Sequence, residues 1–283
     1  MTNNLRIAFF GTPELTIPIL EELKNTGYTP VVIVTGIDKP VGRKMTITPP
    51  EPKKWAEANG ILISQPNKLD PEFIAEFRKL NIDLSIVVAY GKIIPEELIN
   101  IPRFGTINIH YSLLPKYRGA TPVEAAILNG DTETGVCIQH MRYKLDSGPI
   151  INMEKVMIDN TDTAEELRNK LNTIGKKLLV ESIEELISGN AKMIEQDETQ
   201  ATFCKKIKKE DGEINLDDNE TINYNKFRAY NKWPRTYFFV EKHGQKTRVI
   251  ITKAKIENNA FVIERVIPEG KKEISYDEFL KTI

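Results

Sequence analysis

The chain offers little sulfur chemistry. Cys137 and Cys204 are the only cysteines in 283 residues. They stand far apart with no paired spacing, so neither a disulfide framework nor a zinc site is suggested, and no metal is expected. Long apolar runs are missing as well. None approaches the roughly 20 residues needed to span a bilayer. The opening MTNNLRIAFFGTPE runs straight into a strand pattern, with no charged leader, apolar core or cleavage site before it. A cytoplasmic protein is therefore expected. Internal repeats and low-complexity segments are also lacking. Net charge is nearly lacking, at −1, but it is unevenly placed. From Cys204 onward 17 Lys and Arg face 13 Asp and Glu, leaving the preceding part acidic. A basic tail on an acidic body is a weak pointer to a polyanionic partner.

Apolar residues make up 40% and charged residues 28%, as in ordinary globular proteins. The length is more natural for two domains than for one. Leu5–Phe10 is an apolar run closed by Gly11, which predicts a buried strand. A helix follows, with Thr16 as a candidate cap and Pro18 in its first turn. Ile19, Leu20 and Leu23 lie on one face of it, and Gly27 ends it. With Val31–Val34 as the next strand, this is a βαβ unit, which implies a parallel sheet flanked by helices. The pattern continues through strands at Ile61–Ser64, Leu84–Ala89 and Thr106–His110. Further strands are predicted at Gly135–Met141 and Ile150–Val156. Helices are predicted near Trp55–Asn59, at Pro71–Leu80 and Pro122–Leu128, and over the long amphipathic stretch Thr163–Ser188.

Character changes after Gly189. The polar, poorly periodic stretch that follows reads as a linker. Beyond it come one helix, Thr221–Tyr230, and β-like runs at Tyr237–Val240, Arg248–Lys253 and Phe261–Val266. The expected organisation is an α/β, Rossmann-like domain over 1–189, a linker over 190–210, and a small, mostly β, OB-like barrel domain over 211–283.

The most informative stretch is GTINIHYSLLPKYRGATPVEAA, residues 105–126. Side chains alternate along a strand, so Ile107 and Ile109 share one face while Asn108 and His110 share the other. A polar pair at the end of a buried parallel strand is costly unless it is hydrogen-bonded or used. In open α/β sheets, ligands bind beyond the carboxyl ends of the strands. A second element, Leu145-Asp146-Ser147-Gly148, reads by itself as a turn.

The two elements together, Asn108-x-His110-x-Ser112-Leu113-Leu114-Pro115-x-x-Arg118-Gly119 and Leu145-Asp146-x-Gly148, resemble the signature of the 10-formyltetrahydrofolate-dependent formyltransferases. The resemblance implies a Rossmann-like domain with its site at the carboxyl edge of the sheet. It implies an enzyme in which Asn108, His110 and Asp146 are catalytic. An uncharged amine attacks the formyl carbon of 10-formyltetrahydrofolate, and Asn108 and a protonated His110 donate to the tetrahedral oxyanion. Asp146 orients the imidazole and relays the proton of the attacking amine. Ser112, Leu113, Leu114 and Pro115 resemble the family's folate-binding turn. The strand end at Val87–Tyr90, with Tyr90, Gly91 and Ile94, is expected to line the pterin pocket.

Three features resemble the branch of the family that acts on charged initiator tRNA. They are the opening Phe10-Gly11-Thr12-Pro13-Glu14, the loop Asp38-Lys39-Pro40-x-Gly42-Arg43, and a second domain carrying Lys205, Lys206, Lys208, Lys209 and Asn231-x-Trp233-Pro234. Lys39, Arg43 and Lys44 are candidate phosphate contacts in a loop expected to order against the acceptor end. A monomer is expected. Tyr111 departs from the family, which has a small residue between His110 and Ser112, and a bulky side chain there can narrow the site. A sugar-nucleotide N-formyltransferase, a formate-releasing hydrolase using the same trio, and a non-catalytic folate- or RNA-binding relative stay open as alternatives.

Overall fold

The computed structural model describes residues 5–42, 44–242 and 244–283, and its chain divides into two compact units. The first comprises residues up to Arg118, together with Gly135–Val156 and Asn169–Phe203. The second comprises Gly119–Thr134, Met157–Arg168 and Cys204–Ile283.

In chain order the strands up to the first unit's last are β1 (Ile7–Gly11), β2 (Val32–Val34), β3 (Lys39–Val41), β4 (Thr46–Thr48), β5 (Leu62–Ser64), β6 (Leu84–Val88), β7 (Thr106–His110), β8 (Arg118–Gly119), β9 (Glu133–His140) and β10 (Ile150–Met157). The helices among them are α1 (Ile17–Asn25), α2 (Glu51–Ala58), α3 (Pro71–Lys79), α4 (Glu96–Ile99) and α5 (Pro122–Leu128), followed by α6 (Ala164–Ser188). Seven strands form one sheet in the order β10-β9-β7-β6-β1-β2-β5. β1 pairs in parallel with β2 and β6, β2 with β5, and β6 with β7. β7 and β9 run antiparallel. The sheet is thus parallel through its centre and turns antiparallel where the chain leaves β7.

Every residue of β1 and β6 is buried, as expected of parallel strands covered on both faces. One apolar cluster joins Phe10, Val32, Val34, Phe77, Val87 and Leu98. α3 starts at Asp70, whose side chain accepts from the Phe73 amide, a helix cap built from the acid and the proline that follows it. Thr16 does not cap α1. Its hydroxyl donates instead to the Pro13 carbonyl at 2.8 Å, because a short 3-10 turn at Glu14–Thr16 precedes the helix and already holds Thr16 in helical conformation.

The Pro- and Lys-rich loop contains more order than its composition predicts. β3 and β4 form an antiparallel hairpin pairing Lys39 with Thr48, Pro40 with Ile47 and Val41 with Thr46. Its base is tied by Asp38, which accepts from Lys53 at 2.8 Å and from Gln65 at 2.8 Å. These bonds, Lys53 foremost, hold the Asp38 carboxyl below its ordinary range.

β11 (Phe203–Cys204) follows, and the second unit holds α5 together with α7 (Glu220–Ala229), β12 (Tyr237–Lys242), β13 (Gln245–Glu257), β14 (Ala260–Pro268), β15 (Ile274–Ser275) and α8 (Tyr276–Leu280). β12 to β15 form a sequential antiparallel sheet. Phe238, Val249, Ile251, Val266 and Phe279 make its core. α7 is opened by Asn219, which accepts from the amides of Thr221 and Ile222, and α8 by a reciprocal Ser275–Glu278 box. Among the described residues no helix is long and apolar enough to cross a membrane.

Candidate active site

β7 alternates as its sequence predicts. Ile107 and Ile109 are buried on one face, while Asn108 and His110 face the other way at the strand's carboxyl end. Parallel pairing with β6 sets Asn108 opposite Val87, and the Asn108 amide nitrogen donates to the Val87 carbonyl at 3.0 Å. Antiparallel pairing with β9 sets Asn108 opposite Gln139 and His110 opposite Cys137. Gln139 is only 1% exposed. Its Nε2 donates to Asn108 Oδ1 at 3.2 Å and to Asp146 Oδ1 at 2.9 Å.

Asp146 lies in the turn after β9, at a positive φ of 44°, a conformation that acidic residues tolerate better than most. The turn is pressed close to β9. A Cβ at Gly148 would meet the His140 carbonyl oxygen at 1.8 Å, so only glycine fits there. The other carboxylate oxygen, Asp146 Oδ2, stands 3.8 Å from His110 Nδ1. His110 Nε2 lies 2.9 Å from the Tyr117 carbonyl. A carbonyl only accepts, so Nε2 carries the hydrogen, and Nδ1 is the nitrogen on the Asp146 side. The three residues singled out from the sequence thus meet at one strand end, with Gln139 between two of them.

Further bonds hold Asp146 from behind. Gln196 Nε2 donates to the carbonyls of Asp146 and Gly148 at 2.9 and 2.7 Å. Gln196 Oε1 accepts from the fully buried Arg118, which also grips both carboxylate oxygens of Glu198 at 2.9 and 3.1 Å. Lys144 reaches the same carboxylate. Arg118 first, then Lys144, holds the Glu198 carboxyl down to about 2. Gln196 and Glu198 come from the stretch read as a linker, yet they lie in the first compact unit. A buried guanidinium requires an anionic partner, and no periodicity in the sequence reveals which distant carboxylate supplies it. Gln139 was equally hidden, since one amide in an apolar strand carries no motif.

The turn after β7 is held by its own polar atoms. Ser112 is fully buried, and its hydroxyl donates to the Lys116 carbonyl at 2.6 Å. The Leu114–Pro115 bond is cis. Leu114 is buried with Cys137 and Ile150, while Leu113 and Pro115 are partly exposed. Cys137 Sγ donates to the Ser112 carbonyl and accepts from the Leu114 amide at 3.3 Å. Burial pushes the Cys137 thiol up to about 12, so it acts as a neutral clamp.

Tyr111 does not narrow the face that carries Asn108 and His110. Strand alternation turns it to the side opposite His110, where its hydroxyl donates to Asn172 Oδ1 of α6 at 2.8 Å. Asn172 in turn donates to the Leu15 carbonyl. Tyr90 and Ile94 are buried in the apolar cluster under β1 and β6. Tyr90 packs edge-on against Phe10, and its hydroxyl has no hydrogen-bond partner among the described residues. Burial raises that phenol to about 12. Gly91 is exposed with φ 79°, and Ala89 just before it has φ 46°, so the backbone at this strand end is open and irregular.

Lys39 and Lys44 are exposed on the hairpin, together with Val41, Met45 and Ile47; Arg43 lies outside the described residues. In the second unit, β12 and β13 carry cation–aromatic pairs that sequence reading missed. Arg248 sits 3.8 Å from the Tyr237 ring centre and Lys246 4.0 Å from that of Phe239. Trp233 beside them in sequence is half exposed. Among the described residues no group of three or more His, Cys, Asp or Glu could hold a metal ion.

Comparison with known proteins adds the following. The model of the "Formyl transferase" family matches residues 5–183, and that of the "Formyl transferase, C-terminal domain" matches residues 206–262. The methionyl-tRNA formyltransferase of Bacillus velezensis is 38% identical over 98% of this chain and 94% of its own length. Two solved structures share the fold. One is the methionyl-tRNA formyltransferase from Clostridium thermocellum, with TM-score 0.65, 18% identity, and coverage of 96% of this chain and 99% of that one. The other is the sugar 3N-formyl transferase WlaRD, solved in the presence of dTdp and 5-N-Formyl-THF, with TM-score 0.64, 22% identity, and coverage of 96% and 97%.

Proposed function

This chain belongs to the formyl transferase family, and on that premise we propose that Asn108, His110 and Asp146 carry its chemistry. The chain transfers a formyl group from a folate-type donor to the amino group of methionyl-tRNA for translation initiation. The donor in this reading is 10-formyltetrahydrofolate, which supplies the electrophilic formyl carbon on N10.

The observation that supports the site is the convergence of three side chains from β7 and the turn after β9. One Asn108 N–H is bound to Val87, and the second, with no acceptor among the described residues, is free to donate to the oxyanion that forms as the amine attacks. His110 donates through Nδ1–H when protonated, its Nε2–H being committed to Tyr117. The 3.8 Å separation of His110 Nδ1 from Asp146 Oδ2 is longer than a hydrogen bond, and in this reading the reacting group is handled on that side of the imidazole. The proton lost by the attacking amine passes by way of Asp146 and His110 to N10 as the carbon–nitrogen bond to the folate breaks, so one proton is gained for each one lost. Each oxyanion donor is worth about 10²–10³ in rate.

The folate is read at the strand end of Val87–Gly91 beside Asn108, where Ala89 and Gly91 are exposed, with Ser112–Pro115 shaping the adjoining turn from within. Lys39, Arg43 and Lys44 are read as phosphate contacts to the acceptor end of initiator tRNA. The hairpin extends the first unit, the body that carries the trio. The cations of β13 are a second phosphate-facing feature. The chain is read as a monomer.

Incubation with labelled 10-formyltetrahydrofolate and, in parallel, charged initiator tRNA, an amino-sugar nucleotide or water tests the acceptor. Formyl-methionyl-tRNA as the dominant product is expected. Preferential labelling of the sugar nucleotide, or release of free formate, overturns the tRNA reading.

A further inference from the structure

Gln139 stands where an apolar residue would serve the fold better. Its neighbours on β9, Val136, Cys137 and Ile138, are fully buried. The Gln139 Oε1 is itself buried with no hydrogen-bond partner among the described residues, a standing cost in a strand that a methionine or leucine would avoid. What the residue does instead is confined to its nitrogen. Both hydrogens of Nε2 are used, one on Asn108 Oδ1 and the other on Asp146 Oδ1.

We propose that Gln139 is a positioning residue for formyl transfer, the amide that fixes which way Asn108 and Asp146 face. Asn108 carries an oxygen and a nitrogen on nearly equivalent ends of its amide. A half-turn of that amide would present its carbonyl to the oxyanion and turn stabilisation into repulsion. Two bonds forbid the half-turn. Val87 O accepts from one end, and Gln139 Nε2 donates to the other. Gln139 also holds Asp146 Oδ1, which fixes the carboxylate with its Oδ2 on the His110 side. A carboxylate at position 139 would repel Asp146 and face the Asn108 oxygen with no hydrogen to give. A thioether would leave Asn108 held at one end only. The titratable groups facing Gln139 are Asp146 and, across the strand pair, His110.

This inference rests on the catalytic reading of Asn108, so the experiment carries Asn108→Ala beside the variants of Gln139. Formylation of charged initiator tRNA is measured for wild type, Gln139→Met, Gln139→Glu and Asn108→Ala across pH 5.5 to 8.5, with melting temperatures alongside. For Gln139→Met a fall in kcat of about tenfold is expected, the scale of one hydrogen bond to a charged group, with KM for both substrates within about twofold. For Gln139→Glu the like charge of Asp146 and burial push the new carboxyl above the ordinary range. Its protonated form regains one O–H donor, so the kcat ratio of variant to wild type rises as pH is lowered. A purely structural role would move melting temperature and leave that ratio flat. Wild-type kcat in Gln139→Met, a loss confined to KM or to melting temperature, or a flat Gln139→Glu ratio overturns the inference. If Gln139→Met fails to fold, the Gln139→Glu ratio alone decides. If Asn108→Ala is fully active, the catalytic reading itself has failed, which is distinguishable from failure at Gln139 alone.

Discussion

The strand end at Asn108 and the hairpin at Lys39–Thr48 belong to one compact unit and are built on opposite plans. At the strand end, polar groups are buried or half-buried and most are hydrogen-bonded to one another. Asn108, Gln139, Asp146, Gln196 and Arg118 form a continuous chain of hydrogen bonds, and His110 is 5% exposed. On the hairpin, Lys39, Lys44, Val41, Met45 and Ile47 all face solvent, and the bonds that anchor it lie at its base, on Asp38. Reaction geometry has to be held to fractions of an ångström, which a buried network provides. Contact with a large polyanion needs reach and charge more than it needs fixed rotamers. On the proposed reading the same chain supplies both, by burying one region and exposing the other.

The sharpest way to break this comparison is to remove the proposed oxyanion donors. His110→Ala and Asn108→Ala are each expected to lower turnover by at least about 10², with circular dichroism and melting temperature close to wild type. Near-normal turnover in both would empty the strand end of its assigned role.

Asp146→Asn should be almost as damaging although it preserves size. It removes the negative charge facing His110 Nδ1 and cannot relay a proton. The pH–rate profile of kcat checks this. An unchanged profile at normal rate would make Asp146 a turn residue only.

Replacing Lys39, Arg43 and Lys44 by Ala together should act differently in kind. The expected loss is in kcat/KM for charged tRNA, and the dependence of log(kcat/KM) on log salt should flatten by about one unit per phosphate contact removed. Folate binding, measured by fluorescence titration, should be unchanged. An identical salt slope in wild type and variant would detach the hairpin from tRNA.

The smallest effect is expected at Tyr111. Phenylalanine there removes the hydroxyl that bonds Asn172 and should cost about 1 kcal/mol of stability by urea unfolding, with kcat within about twofold. A large loss of kcat would place Tyr111 on the catalytic side after all.

Much of the fold was legible because it is encoded locally. The apolar runs of β1, β2 and β6, the period of α3 and α6, and the placing of Asn108 and His110 on one face of β7 follow from residues two to four positions apart. So does the turn that carries Asp146. The hairpin was missed because its paired residues, Pro40 against Ile47 and Val41 against Thr46, do not read as alternating strands. The irregular stretch after Gly189 reads as a linker because nothing in it shows that Gln196 and Glu198 answer a buried arginine some 80 positions earlier.

What the sequence determined by itself was therefore the set of elements, the order in which they follow, and the residue types brought to the end of β7. What the tertiary structure alone decided was how those residues are held. Gln139 reaches Asn108 across 31 positions of chain only because β7 and β9 pair antiparallel in one register, and a shift of one residue would turn its amide to the other face. Tyr111 is removed from the site by the same alternation together with the presence of α6 behind it. Side-chain periodicity is a property of neighbours along the chain, whereas a cross-strand hydrogen bond depends on the register of the assembled sheet, which no single strand specifies.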